Sequence, residues 1–377
     1  MFPPPENEAA GPPFVISPVH SRSPLLLHAP FNTAPPFHSC VAVVPAAATP
    51  AWRIDLTSDP GEHRGSPGRW CQRGAWILSF WLAVWWGVLA GLTHATPPKE
   101  IVVHRNLRYR PGENRAWQLD LAKPATQAAA GRPTVVVIHG GGWVEGSRSS
   151  FSSPDTSQPG HIEAFARAGF VAVTIDYRLS KEAPWPAALE DCRAAVDWLR
   201  QHAREYDIDP DRIGAWGNSA GGHLALLLVQ WDGPLVGADA ENEKQPGWRR
   251  IQAAVSDSGP VELSEQHRHG TLRGVVELLM GGPPTDDRRA AYLAASPRAH
   301  ITRDTPPVLL IYGTADEQVP VASADDFVRK LEETGAPDVT YLRLAKVGHC
   351  PHSIQRVDWL PGVVTQFFQR SLGHKPQ

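Results

Sequence analysis

The chain holds 377 residues, 42% of them hydrophobic, enough for one large domain or two small ones with a sizeable core. Its formal net charge of −3 gives no electrostatic footprint for nucleic acid and names no charged partner. Cys40, Cys71, Cys192 and Cys350 show no Cys-x-x-Cys spacing, which argues against a zinc or redox site.

Residues 1–73 carry 14 of the 37 prolines and no sustained period of 3.6 or 2, so a disordered segment is expected there. Residues 74–95 differ. Ala75 to Leu92 is uncharged, holds Trp76, Trp81, Trp85 and Trp86, follows Arg69 and Arg73, and leads into Thr93-His94-Ala95. These are the parts of a secretory signal, yet its 18 residues also just span a bilayer. A cleaved signal and a membrane anchor through residues 75–92 both stand. Either one places the rest of the chain outside the cytoplasm, periplasmic, secreted or tethered. A signal this far along the chain also suggests that the first 70 or so residues precede the working start.

From Lys99 the pattern alternates between strand and helix signals, and residues 96–377 are expected to form one catalytic domain. Strands are predicted at Ile101–Val103, Trp117–Leu121, Val135–Ile138, Phe170–Ile175, Arg212–Trp216, Ile251–Val255, Val308–Tyr312 and Val339–Leu344. Helices are predicted at Ile162–Ala168, Pro186–Tyr206, His223–Leu228, Val321–Thr334 and Gln355–Leu372. Cys192 falls on one face of the second helix and reads as a free buried thiol; a bridge to Cys350 is the alternative in an oxidising compartment. Apolar strands separated by helices imply an α/β fold with a mostly parallel sheet covered on both faces. Leu263 to Ala295 breaks the rhythm with short helical pieces at Thr271–Met280 and Asp286–Ala295. It reads either as a cap over a site or as an inert surface excursion.

Chemistry concentrates at three points. Gly217-Asn218-Ser219-Ala220-Gly221 joins a predicted strand to a predicted helix, a turn that raises the hydroxyl of Ser219 at a helix N-terminus. A serine hydroxyl needs a base, and the base an orienting acid. Asp316, in the loop leaving Val308–Tyr312, is the candidate acid, with Glu317 its nearest competitor. His349, after the last strand, is the candidate base; His352 is the runner-up, and His374 reads as a tail residue. Upstream, Val135 to Ile138 runs into His139-Gly140-Gly141-Gly142-Trp143. There the N–H groups of Gly141 and Gly142, with that of Ala220, are candidate donors to an oxyanion. His139 is read as bracing this loop, and Trp143 either walls an acyl pocket or is buried for structure.

His139-Gly140-Gly141-Gly142-Trp143, Asp176-Tyr177-Arg178-Leu179, Pro186 to Asp191, Gly217 to His223, Ala295-Ser296-Pro297 and Gly313 to Pro320 together resemble the α/β-hydrolase esterases. The likeness is nearest to the BD-FAE-like branch (bifunctional feruloyl and acetyl-xylan esterases), related to the hormone-sensitive-lipase-like carboxylesterases, and covers about residues 100 to 372. It implies an α/β-hydrolase fold with a small inserted cap-like segment. It also implies cleavage of short-chain or carbohydrate-linked acetyl or feruloyl esters by Ser219, His349 and Asp316 through an acyl-enzyme. Formamide hydrolysis and a non-catalytic membrane-tethered protein of the same fold are the rival readings. No cofactor, metal or nucleic acid is expected. Two departures from the family pattern are Asn218 before the serine and Tyr312 before Gly313.

Overall fold

The strands sort their side chains by parity. In the computed structural model, which describes residues 16–18, 52–55, 100–152, 160–233 and 248–373, Val136 and Ile138 enter one hydrophobic layer while Val135 and Val137 enter the other. Val308, Leu310 and Tyr312 likewise face the first layer, and Leu309 and Ile311 the second. A strand needs apolar residues at every position only if both faces are covered. Helices supply that cover, and each fully buried Val, Leu or Ile contributes roughly 1.5 to 3 kcal/mol relative to exposure.

The sheet holds ten strands among the described residues: β1 (Ile16–Pro18), β2 (Trp52–Asp55), β3 (Ile101–Arg108), β4 (Gln118–Pro124), β5 (Arg132–Ile138), β6 (Val171–Ile175), β7 (Ile208–Asn218), β8 (Ala253–Asp257), β9 (Val308–Gly313) and β10 (Val339–Leu344). Their order is β1-β2-β10-β9-β8-β7-β5-β6-β4-β3. Parallel pairing runs from β2 through β10, β9, β8, β7 and β5 to β6, whereas β4 lies antiparallel to both β6 and β3. β1 and β2 fall inside residues 1–73, where no sustained strand pattern is expected; β1 pairs antiparallel with β2, and β2 borders β10. Backbone pairing of a sheet edge needs no apolar alternation, so periodicity is blind to it. The rest of residues 1–99, including the apolar run 75–92, lies outside the described residues. No described helix is long and apolar enough to cross a membrane.

Two helices, α1 (His161–Arg167) and α8 (Leu360–Leu372), cover one layer through Ile162, Phe165, Leu360, Val364 and Phe368. The other layer is covered by α2 (Ala187–Gln201), α3 (Ala220–Gln230) and α7 (Val321–Thr334) through Leu189, Val196, Leu224, Phe327 and Leu331. Between β8 and β9 the chain builds three short helices, α4 (Leu263–His269), α5 (Arg273–Met280) and α6 (Arg289–Ala294). The helix predicted from Gln355 starts only at Leu360. Residues 350–357 instead close turns on themselves, with Gln355 N–H donating to Cys350 C=O at 3.1 Å and Val357 N–H to Pro351 C=O at 3.1 Å. The helix predicted over 186–206 ends at Gln201, and Asp207, at φ 64°, turns the chain into β7.

Two buried imidazoles make this fold acid-sensitive. Burial holds His223 down to about 4 and His352 down to about 3, the latter also opposed by nearby His161. Both stay neutral in the native state while an unfolded histidine gains a proton below about 6.5. Their penalty is absent above that pH and grows as pH falls, reaching about 2 kcal/mol for each near pH 5. His352 Nδ1 has no hydrogen-bond partner among the described residues, so phenylalanine sacrifices no bond there. Urea unfolding at pH 7.5 and pH 5 should therefore show the acid loss shrinking by about 2 kcal/mol in His352→Phe.

Candidate active site

Ser219 sits between β7 and α3, at φ 50° and ψ −120°. That conformation costs a residue with a β-carbon roughly 1 to 3 kcal/mol, and the surroundings must enforce it. They do so by close approach: a β-carbon on Gly217 would overlap the carbonyl of Gly221, and one on Gly221 would overlap the carbonyl of Ile138. The Ser219 N–H donates to Asp257 C=O at 2.8 Å, tying the turn to the end of β8. Ala220 opens α3, so its N–H belongs to the unpaired first turn.

The candidate acid and candidate base meet. His349 Nδ1 donates to Asp316 Oδ2 at 2.7 Å, and both residues are buried, as is Ser219. The other oxygen, Asp316 Oδ1, accepts the N–H groups of Gln318 and Val319, each at 2.9 Å. Glu317, by contrast, is exposed. His352 turns to the far layer, where its ring lies 5.0 Å from Trp216 and 5.3 Å from His161. His374 lies outside the described residues. Among the described residues, neither the Glu317 nor the His352 side chain hydrogen-bonds to this pair.

The glycine loop follows β5. Gly141 adopts φ +99°, and its carbonyl accepts the N–H groups of Val144 and Glu145 at 3.0 and 3.1 Å. The N–H groups of Gly141 and Gly142 donate to no protein acceptor among the described residues. His139 braces the loop as expected: its Nδ1 reaches Gly140 C=O at 2.8 Å, and its ring stacks on Tyr177 at 4.2 Å. Burial lowers the His139 pKa, so the ring stays neutral. Trp143 is 1% exposed and packs edge-on to His223, as part of the core. Asp176 binds Arg148, and Arg178 binds Glu190 and Asp191, so these segments fix the β6 exit and the α2 start.

The excursion between β8 and β9 reaches across the site. Gln266 Nε2 donates to Gln318 C=O at 2.6 Å and Thr271 Oγ1 to Glu317 C=O at 3.3 Å, both in the Asp316 loop. On its other flank, Val275 Cγ1 comes within 2.8 Å of where a Gly142 β-carbon would sit. Of the two readings, a cap fits this placement. Tyr312 donates its phenol to Gly259 C=O at 2.5 Å, an architectural bond at the cap's root. Cys192 and Cys350 are free and buried.

Sequence reasoning missed Asp257 and Ser258. Asp257 is fully buried and accepts from His352 N–H (3.2 Å), Ser353 N–H (3.0 Å) and Ser353 Oγ (2.9 Å), while Ser258 Oγ accepts the Cys350 N–H at 3.1 Å. A lone polar residue closing an apolar strand was the only available signal.

The BD-FAE family model matches residues 119–331, more than half of the chain. Over 242 residues the chain is 32% identical to the probable carboxylic ester hydrolase LipM of Mycobacterium tuberculosis (strain ATCC 25618 / H37Rv), covering 62% of this chain and 53% of that protein. The chain spans 53 to 60% of the length of the first curated relatives it matches. Among solved structures, a thermophilic esterase of the planctomycete Thermogutta terrifontis with propionate bound is 28% identical at a TM-score of 0.55, over 75% of this chain and 98% of that one. A truncated carbohydrate esterase from gut microbiota, 23% identical at a TM-score of 0.59 over 74% of this chain and 99% of that one, shares the same α/β-hydrolase fold. With its family match laid over this fold, the chain belongs to the BD-FAE family.

Proposed function

We propose that the chain hydrolyses carboxylic esters of short acyl groups, with Ser219 as nucleophile, His349 as general base and acid, and Asp316 as its orienting partner. The observation that carries the reading is the 2.7 Å bond between His349 and Asp316, in the protein that also holds Ser219 in its strained turn. The ester hydrolase LipM and the propionate-bound esterase lend support from relatives.

In this mechanism His349 Nε2 takes the Ser219 proton as Oγ attacks the acyl carbon. Negative charge gathers on the former carbonyl oxygen, where the N–H groups of Ala220, Gly141 and Gly142 receive it. Because such donors are fixed before reaction, each supplies roughly 3 to 4 kcal/mol to the transition state. The imidazolium then protonates the departing alcohol, and the same base activates water to cleave the acyl-enzyme.

Val275 sets the acyl limit, because its side chain fills the space next to Gly142. Removing two methyl groups from such a wall shifts selectivity by roughly tenfold or more. Turnover of p-nitrophenyl esters from acetate to decanoate should peak at acetate to butanoate in the wild type. In Val275→Ala the hexanoate-to-acetate ratio should rise about tenfold. A natively folded protein that cleaves formanilides but no ester would overturn the ester reading.

A further inference from the structure

We propose that Asp257 is a positioning residue for His349: its buried carboxylate clamps the loop that carries the base, so that activity requires Asp257 ionised as well as His349 neutral. The proposal rests on the triad reading above and adds a second carboxylate to it.

The loop needs a clamp. Between β10 and α8, three residues with β-carbons sit at positive φ: Lys346 at 61°, Cys350 at 53° and Arg356 at 52°. Such conformations persist only where neighbours over-determine them. Asp257 supplies three of the restraints, accepting the N–H groups of His352 and Ser353 and the Ser353 hydroxyl. Its main chain supplies one more and also holds the serine turn. Asp257 C=O accepts both the Ser219 N–H at 2.8 Å and the Cys350 thiol at 3.5 Å, and the adjoining Ser258 Oγ holds the Cys350 N–H. Asp257 at the end of β8 thus fixes the backbone of Ser219 and, together with Ser258, the residue next to His349.

A carboxylate in this place is costly, since all its side-chain partners are neutral donors and no water reaches it. Burial lifts it to about 6, with the three donors and the charge of His349 pulling the other way. The titratable groups facing it are His349, Cys350 and His352 on the loop and Tyr312 on β9. Burial holds Cys350 and Tyr312 protonated and His352 neutral, so of these shifted groups only Asp257 changes charge near neutral pH. An amide has one acceptor atom where a carboxylate has two, so asparagine cannot satisfy the same three donors. A displacement of the imidazole by a fraction of an ångström to 1 Å costs up to about a hundredfold in rate.

The test uses the full chain and two readouts between pH 4.5 and 9: turnover of p-nitrophenyl acetate, and the rate of covalent labelling of Ser219 by a fluorophosphonate. Wild type should show an acid limb steeper than one proton. Asp257→Asn should lose about tenfold to a hundredfold in kcat and in labelling rate, with KM within twofold and a one-proton limb. Ser353→Ala, which removes one donor and keeps the carboxylate, should lose less and stay steep. Labelling of folded Asp257→Asn at the wild-type rate overturns the proposal. Should that variant not fold, a one-proton limb in wild type with full-rate labelling of Ser353→Ala overturns it equally. Wild type that labels but cleaves no ester removes the ester reading alone, because labelling rates still decide the role of Asp257. Native wild type that does not label overturns both.

Discussion

Ser219→Ala is expected to lower ester turnover on the order of 10⁵- to 10⁶-fold, the largest single loss the site allows. Without Oγ there is no acyl-enzyme, and a water placed by His349 and the oxyanion donors retains only the residual rate they confer. The fold should not suffer. Ser219 is held at φ 50° by the packing of Gly217 against Gly221 and by its N–H bond to Asp257, and alanine keeps both. Glycine relaxes the strained backbone at that φ, so Ser219→Gly should be equally inactive and at least as resistant to urea. Steady-state kinetics beside unfolding curves on the three proteins checks this. Turnover within tenfold of wild type in Ser219→Ala would exclude the serine mechanism.

Asp316→Asn should cost about 10⁴-fold in kcat with little change in KM. The argument lies in which oxygen does what. Asp316 Oδ1 accepts two backbone N–H groups, from Gln318 and Val319, so an asparagine must place its carbonyl there. Its NH₂ group then faces His349 Nδ1, where Oδ2 now accepts at 2.7 Å. Nδ1 has to become the acceptor and Nε2 the donor, which leaves no lone pair for the Ser219 proton. Asp316→Glu should recover less than the wild-type rate, since a longer side chain cannot reach the same two N–H groups and His349 together. Retention of a tenth or more of wild-type kcat by Asp316→Asn would assign the acid's role elsewhere.

Much of this was legible because the chemistry sits on turns whose residues are unusual. Ser219 between close-packed glycines, the run from His139 to Trp143, and a carboxylate and histidine each following an apolar strand are local patterns, and the layer parity of β5 and β9 follows from unbroken apolar runs. What escaped depends on distance in sequence. Asp257 meets Ser353, 96 positions away, and no period links them. The late start of α8 has the same root: residues 355–359, read as helix, follow a stretch that is turned back, with His352 and Ser353 bonded to Asp257. Whether residues 263–295 cap the site or avoid it was likewise open, because only the reach of Gln266 and Val275 across the ends of the strands decides it.

The two ends of that excursion are joined where the Leu263 N–H donates to Ser296 Oγ at 3.0 Å. The clasp spans 33 positions, and Ser296 Oγ in turn donates to Tyr292 C=O within them. Strand register is therefore shielded from the excursion's length, whereas Val276, Leu279, Met280 and Tyr292 belong to the first buried layer and tie its composition to the fold. The mostly exposed residues 281–290 are where sequence can change at least expense to folding, while the anchors on either side keep their packing.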